Sequence, residues 1–110
     1  MAAFHGISIH MTVHISPKDI PRFFEAFRPV FDKVTAEPEC TFFELYVSPD
    51  KPGTISWVEN WSKPKEWIIE NQATRSYYDE YRAITTPMYL KPLEVKVFDR
   101  MGPGFTFVRG

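Results

Sequence analysis

Cysteine is nearly absent: Cys40 stands alone in a chain of 110 residues. No internal disulfide can form, and a reducing, cytoplasmic location is the expectation. No basic residue or histidine adjoins Cys40 in sequence, so it reads as a small buried hydrophobe rather than a nucleophile. Long apolar runs are missing too. No segment approaches the roughly 20 apolar residues of a membrane span. The opening Met1-Ala-Ala-Phe-His-Gly6 lacks the charged start and apolar stretch of a secretory leader. Neither sign of charge dominates: 13 basic and 14 acidic residues are mixed along the chain, for a net charge of −1. Without a basic run or stripe, nucleic acid is not an expected partner. Phosphate-binding and dinucleotide glycine patterns, a Ser/His/Asp set and metal-ligand spacing are also lacking, so no bound cofactor and no metal are expected.

What is abundant is aromatic. Phe, Tyr and Trp make up 16% of a chain that is otherwise ordinary, at 44% hydrophobic and 25% charged. A chain of this length forms one domain with its own core. The interior of so small a domain is limited, so some of these rings are expected at a cavity or an interface.

Residues 6–15 alternate: Ile7, Ile9, Met11, Val13 and Ile15 share one face, and Ser8, His10, Thr12 and His14 the other. That is a half-buried strand. Ser16, Pro17 and Asp19 resemble a capped helix start. Phe23, Phe27, Val30, Phe31 and Val34 then recur at helical spacing through residue 35, with Pro29 expected to kink the helix or end its first half. Residues 40–48 and 54–61 are β-prone and flank the turn Ser48–Gly53, which predicts a hairpin. A second helix is predicted over 63–73, starting near Ser62 and Pro64, a third helical stretch over 75–84, and a last strand over 93–100. The order β-α-β-β-α-β is that of the ferredoxin-like α+β fold, an antiparallel four-stranded sheet with helices on one face.

The hairpin is apolar on both faces. Phe42 and Tyr46 oppose Phe43, Leu45 and Val47, and Val58 opposes Ile55, Trp57 and Trp61. A sheet apolar on both sides needs cover on both. A second copy is the simplest cover, which predicts a homodimer closing a barrel. The tail, residues 101–110, carries Phe105, Phe107 and Val108 and is expected to pack on the partner or add a short edge strand.

The segment Trp57–Asn71 carries the functional signal. Glu59 and Trp61 lie on one strand face, and three tryptophans (Trp57, Trp61, Trp67) fall where strand passes into helix. Trp67 and Asn71, four apart, are expected on one helix face. Glu59 is the candidate base or clamp on a substrate hydroxyl, since a carboxylate among indoles is desolvated. The alternative is a strand-end Glu that reaches solvent or pairs with a lysine. Asn71 is a candidate donor to a carbonyl or oxyanion, or simply an exposed helix residue. His14 is a second candidate base. His10 and His14 lie roughly 13 Å apart along the strand, too far for one metal ion. A tyrosine hydroxyl from Tyr77, Tyr78 or Tyr81, near Arg75, could orient a phenol or quinone, or these residues pack as core and rim.

The strand-to-helix entry His14–Phe27, the helix exit Glu37-Pro-Glu-Cys40, and Glu59 and Trp61 ahead of a helix together resemble the antibiotic biosynthesis monooxygenase-type dimeric α/β barrel proteins. The resemblance covers roughly residues 7–100. Lys18 and Glu39 stand where that family often has glycine, and Asn71 where it often has histidine. The resemblance implies a pocket between sheet and helices for a small aromatic or polyketide-like molecule. Trp57, Trp61 and Trp67 would wall it or pack as core, and Met11, Arg75, Tyr78, Tyr81 and Phe27 are further candidate substrate contacts, Phe27 with Phe23 and Phe31 reading first as core. It implies cofactor-independent oxygenation in secondary metabolism, with isomerisation, cyclisation or decarboxylation in the same pocket as the alternative reaction. Some members only bind ligands or act as stress-response barrels. Haem degradation is not implied: of the family's Asn/Trp/His set only Trp61 remains, Met11 lying near the first position, and the amide of Asn71, at the third, binds iron poorly.

Overall fold

A computed structural model describes residues 3–110; Met1 and Ala2, part of the stretch read for a leader, lie outside it. The elements follow the order β1 (Ile7–His14), α1 (Ile20–Thr35), β2 (Cys40–Val47), β3 (Thr54–Trp61), α2 (Lys65–Trp67), α3 (Tyr78–Thr85) and β4 (Glu94–Asp99). The four strands form one antiparallel sheet in the order β2-β3-β1-β4. This is the α+β ferredoxin-like fold that the strand periodicities predicted.

Period-2 alternation divides the sheet into a helix side and an open side. On the helix side, register places Phe43, Glu59, Ile9 and Val97 in one rung across the strands, and Leu45, Trp57, Met11 and Val95 in the next. On α1, Phe23, Phe27, Val30 and Val34 are buried at i, i+4, i+7 and i+11, one stripe of a 3.6-residue helix. That stripe packs with Ile7, Ile9, Val13, Ile55, Trp57, Trp61 and Tyr81 into a single core. Each large apolar side chain buried there contributes about 1.5–3 kcal/mol.

Several local expectations are corrected. The Ser16 hydroxyl makes no capping bond; Pro17–Asp19 form a separate 3-10 turn, and α1 starts only at Ile20. The helix continues past Pro29 to Thr35, so the proline does not end it. The predicted helix over 63–73 is one α turn followed by a wide π turn, Ile68–Gln72, in which the Ala73 amide donates to the Ile68 carbonyl at 2.8 Å. The tail adds no strand. It holds a short 3-10 turn, Pro103–Phe105, and leaves Phe105, Phe107 and Val108 exposed. Gly53 closes the β2–β3 turn at φ +94°; a Cβ there would lie 2.0 Å from the Ile15 carbonyl oxygen, so only glycine fits. None of the described helices is long and apolar enough to cross a membrane.

Candidate functional site

Between the helix side of the sheet and the segment Ile68–Tyr89 lies a cavity of about 230 Å³, larger than the ~150 Å³ that holds a benzene molecule. Its walls are mostly apolar: Ile9, Met11, Phe27, Val30, Phe43 and Trp57 from the strands and α1. One acid interrupts them. Glu59 faces the cavity from β3, two residues before its end, and is only 7% exposed. Its rung neighbours, Ile9 and Phe43, offer it nothing polar. Two indoles do. Trp57 Nε1 donates to Oε2 and Trp61 Nε1 donates to Oε1, both at 3.0 Å. These donors sit two residues either side of Glu59, so strand periodicity alone builds the clamp.

Burial pushes the Glu59 carboxyl above its ordinary range, and the indole bonds from Trp61 and Trp57 oppose that shift. Among the described residues no Lys, Arg or His pairs with it. The result is a desolvated carboxyl held in one orientation by two N–H donors.

The opposite wall is phenolic. Tyr78 and Tyr81 both line the cavity, and burial raises both phenols, so they remain protonated donors at neutral pH. The Tyr81 hydroxyl is buried with no hydrogen-bond partner. Tyr78 is held by Gln72, whose Nε2 donates to the hydroxyl oxygens of Tyr77 at 2.6 Å and Tyr78 at 2.8 Å. Arg75 Nε donates to Gln72 Oε1 at 3.3 Å, and Arg75 also pairs with Glu37, which accepts from Tyr77.

Of the residues singled out in the sequence, Glu59, Trp57, Met11, Phe27, Tyr78 and Tyr81 meet in this cavity. Trp61 lies behind Glu59, fully buried, and acts on the cavity only through its N–H. Arg75 also stands a layer back, holding Gln72. Trp67 packs at the edge of the core with Lys63 over its ring. Two candidates lie elsewhere. His14 is on the open side, where Nε2 meets Glu94 Oε2 at 2.6 Å and Nδ1 meets Thr54 Oγ1 at 3.3 Å. Asn71 is exposed and donates only to the Trp67 carbonyl at 3.2 Å. The amide that does reach the cavity is Gln72, 2% exposed, which the sequence did not single out. The π turn moves the inward position from i+4 to i+5, and the helical spacing that pointed to Asn71 missed by that one residue. No group of three metal-binding side chains occurs among the described residues.

Known proteins share this fold. No family model matches the chain. It is 40% identical over 99 residues to "Putative monooxygenase GME11364" of Pestalotiopsis microspora, spanning 90% of this chain and 82% of that protein. Solved structures of two proteins named putative antibiotic biosynthesis monooxygenases share the fold. The one from Nitrosomonas europaea has a TM-score of 0.80 at 16% identity, covering 94% of this chain and 97% of that one. The one from Caulobacter crescentus has a TM-score of 0.79 at 20% identity, covering 89% and 92%. The chain belongs to the antibiotic biosynthesis monooxygenase family. Within that fold its cavity brings together one buried acid and protonated phenols, and Asn71 is exposed.

Proposed function

We propose that this protein is a cofactor-independent monooxygenase acting on a small aromatic or polyketide-like molecule in secondary metabolism. The observation that carries the reading is Glu59: an oriented, desolvated carboxyl facing a mostly apolar cavity. Such a base can remove a proton from an acidic ring methylene or phenol. The carbanion, delocalised over the ring, passes one electron to dioxygen, and the two radicals combine to form the C–O bond. The peroxide takes the first proton back from Glu59. Glu59 then accepts the second C–H proton as the O–O bond breaks and passes it to the departing hydroxide, which leaves as water. A CH2 group and O2 thus become C=O and H2O. Tyr78 and Tyr81 supply O–H donors to the substrate oxygen or the peroxide, and the apolar walls exclude water from the carbanion.

A protonated phenol, Tyr81, in the same cavity as Glu59 also favours a second reading, isomerisation or cyclisation, which needs one base and one acid in a single cavity. Incubation with anthrones, naphthols and hydroquinones under isotopically labelled dioxygen separates the two. One labelled oxygen in the product, with one O2 consumed per turnover, is the expected result. Turnover without oxygen uptake would replace oxygenation with isomerisation.

A homodimer belongs to the same reading. Phe42, Tyr46 and Phe98 stand exposed on the open side of the sheet, away from the helices. A second copy laid face to face would cover them and close a barrel. The single half-buried thiol, Cys40, fits a reducing compartment such as the cytoplasm.

A further inference from the structure

The cavity has a polarity gradient that the oxygenation chemistry does not require. Its acid, Glu59, sits deep in the apolar wall. One full cation, Arg82, is also among its lining residues, and Arg82 is solvent-exposed. The guanidinium is held there by two groups that line the same cavity. Its carbon lies 4.7 Å from the Tyr78 ring centroid, and Nη2 donates to the Ala73 carbonyl at 3.2 Å. Stacking on a ring face and bonding to a carbonyl orient the planar fork without neutralising it. The other described arginines near acids are paired: Arg22 with Glu25, Arg28 with Asp32, and Arg75 with Glu37. Arg82 has no carboxylate partner among the described residues. Its remaining N–H groups keep their capacity to donate.

We infer that Arg82 reads an anionic substituent, and that the substrate is an aromatic acid: a ring system carrying a carboxylate at the cavity mouth, with its reactive, proton-bearing end directed at Glu59. This rests on the reading of the cavity as a substrate site. Three features support the orientation. An anion at the Glu59 end would meet a buried acid and no cation. At the mouth it meets a pre-oriented guanidinium suited to bidentate recognition. A phenol, Tyr81, lines the same cavity and would supply an O–H donor to a ring oxygen. Arg82 is thereby a specificity residue, not a catalytic one.

The test compares 2-naphthoate with 2-naphthamide, which share shape and differ in charge, using tryptophan fluorescence, since Trp57 lines the cavity. The wild type should bind 2-naphthoate about fivefold more tightly at low ionic strength, the scale of one partly exposed ion pair. That preference should shrink as salt is raised. Arg82→Gln should abolish the preference by costing 2-naphthoate more than 2-naphthamide, and Arg82→Lys should retain part of it. A merely structural Arg82 would weaken both ligands equally in both variants. Equal affinities in the wild type, or a preference that survives Arg82→Gln, would overturn the inference and leave the substrate site standing. Failure of both ligands to bind would remove the site itself and the inference with it. The wild-type salt series decides the matter even if the Gln variant folds poorly.

Discussion

Trp61, fully buried at the end of β3, spends its only polar atom on Glu59: the indole nitrogen lies 3.0 Å from Oε1. This bond and its twin from Trp57 favour the charged carboxylate, and burial opposes it more strongly. The folded-state pKa of Glu59 therefore lies above its ordinary value of 4.5, and the sign of the consequence follows. The folded protein holds the Glu59 proton more tightly than the unfolded chain. The associated stability is fully present below the unfolded pKa and is lost as pH rises through the folded one. Activity that needs the carboxylate rises over the same window. Melting temperature should fall, and kcat/KM should climb, as pH increases from the ordinary carboxylate range. Glu59→Gln should flatten this part of the melting profile. A thermal melt series across pH in both proteins checks it; identical profiles would refute the buried-acid description.

Gln72 and Asn71 are neighbours in sequence with opposite surroundings. Gln72 donates to two phenols from a buried position, and Asn71 is exposed. Gln72→Leu should cost about 1–3 kcal/mol, because Arg75 and the tyrosine hydroxyls lose a buried partner. It should also lower turnover, because Tyr78 loses its anchor. Asn71→Ala should stay within about 0.5 kcal/mol of wild type. Urea unfolding and steady-state kinetics of the pair measure both effects.

That contrast shows where the sequence was readable. Alternation in β1 and β3 is strict, so the sides taken by Ile7, Ile9, Trp57, Glu59 and Trp61 followed from period 2, and with them the convergence of Glu59 and the indoles. The α1 stripe followed from period 3.6. The far wall did not follow, because its geometry departs from ideal. A π turn between Ile68 and Gln72 breaks the phase that placed Asn71 inward, and no residue type marks such a turn in advance. His14 was legible as lying opposite the core, but its pairing with Glu94, 80 positions away, depends on strand order rather than local pattern. Arg82 drew no notice because an isolated arginine on a short helix reads as surface.

The Tyr81 hydroxyl is buried without a partner. Such a group costs about 1–3 kcal/mol, so Tyr81→Phe should leave the protein as stable as wild type or slightly more stable. The same substitution removes an O–H donor from the cavity and should reduce kcat. Gain in melting temperature together with loss of turnover is the expected signature. Loss of stability would show that the hydroxyl is satisfied in solution.

The exposed aromatics of the open sheet side bear on assembly. Phe98 is 49% exposed and makes an edge contact with His10, their ring centroids 4.9 Å apart. Light scattering should give a mass twice that of the 12.9 kDa chain. Phe98→Glu should shift it to the single-chain mass, because each copy would bury an unpaired charge in the closed barrel. A monomeric wild type would contradict the barrel.

The most direct measurement is a dissolved-oxygen trace of the wild type and Glu59→Gln on an anthrone or naphthol substrate at neutral pH. Oxygen uptake by the wild type that falls by about two to four orders of magnitude in the variant is expected for a general base. Equal uptake by both proteins would contradict Glu59 as the base, and no uptake by either across the substrate panel would contradict oxygenation.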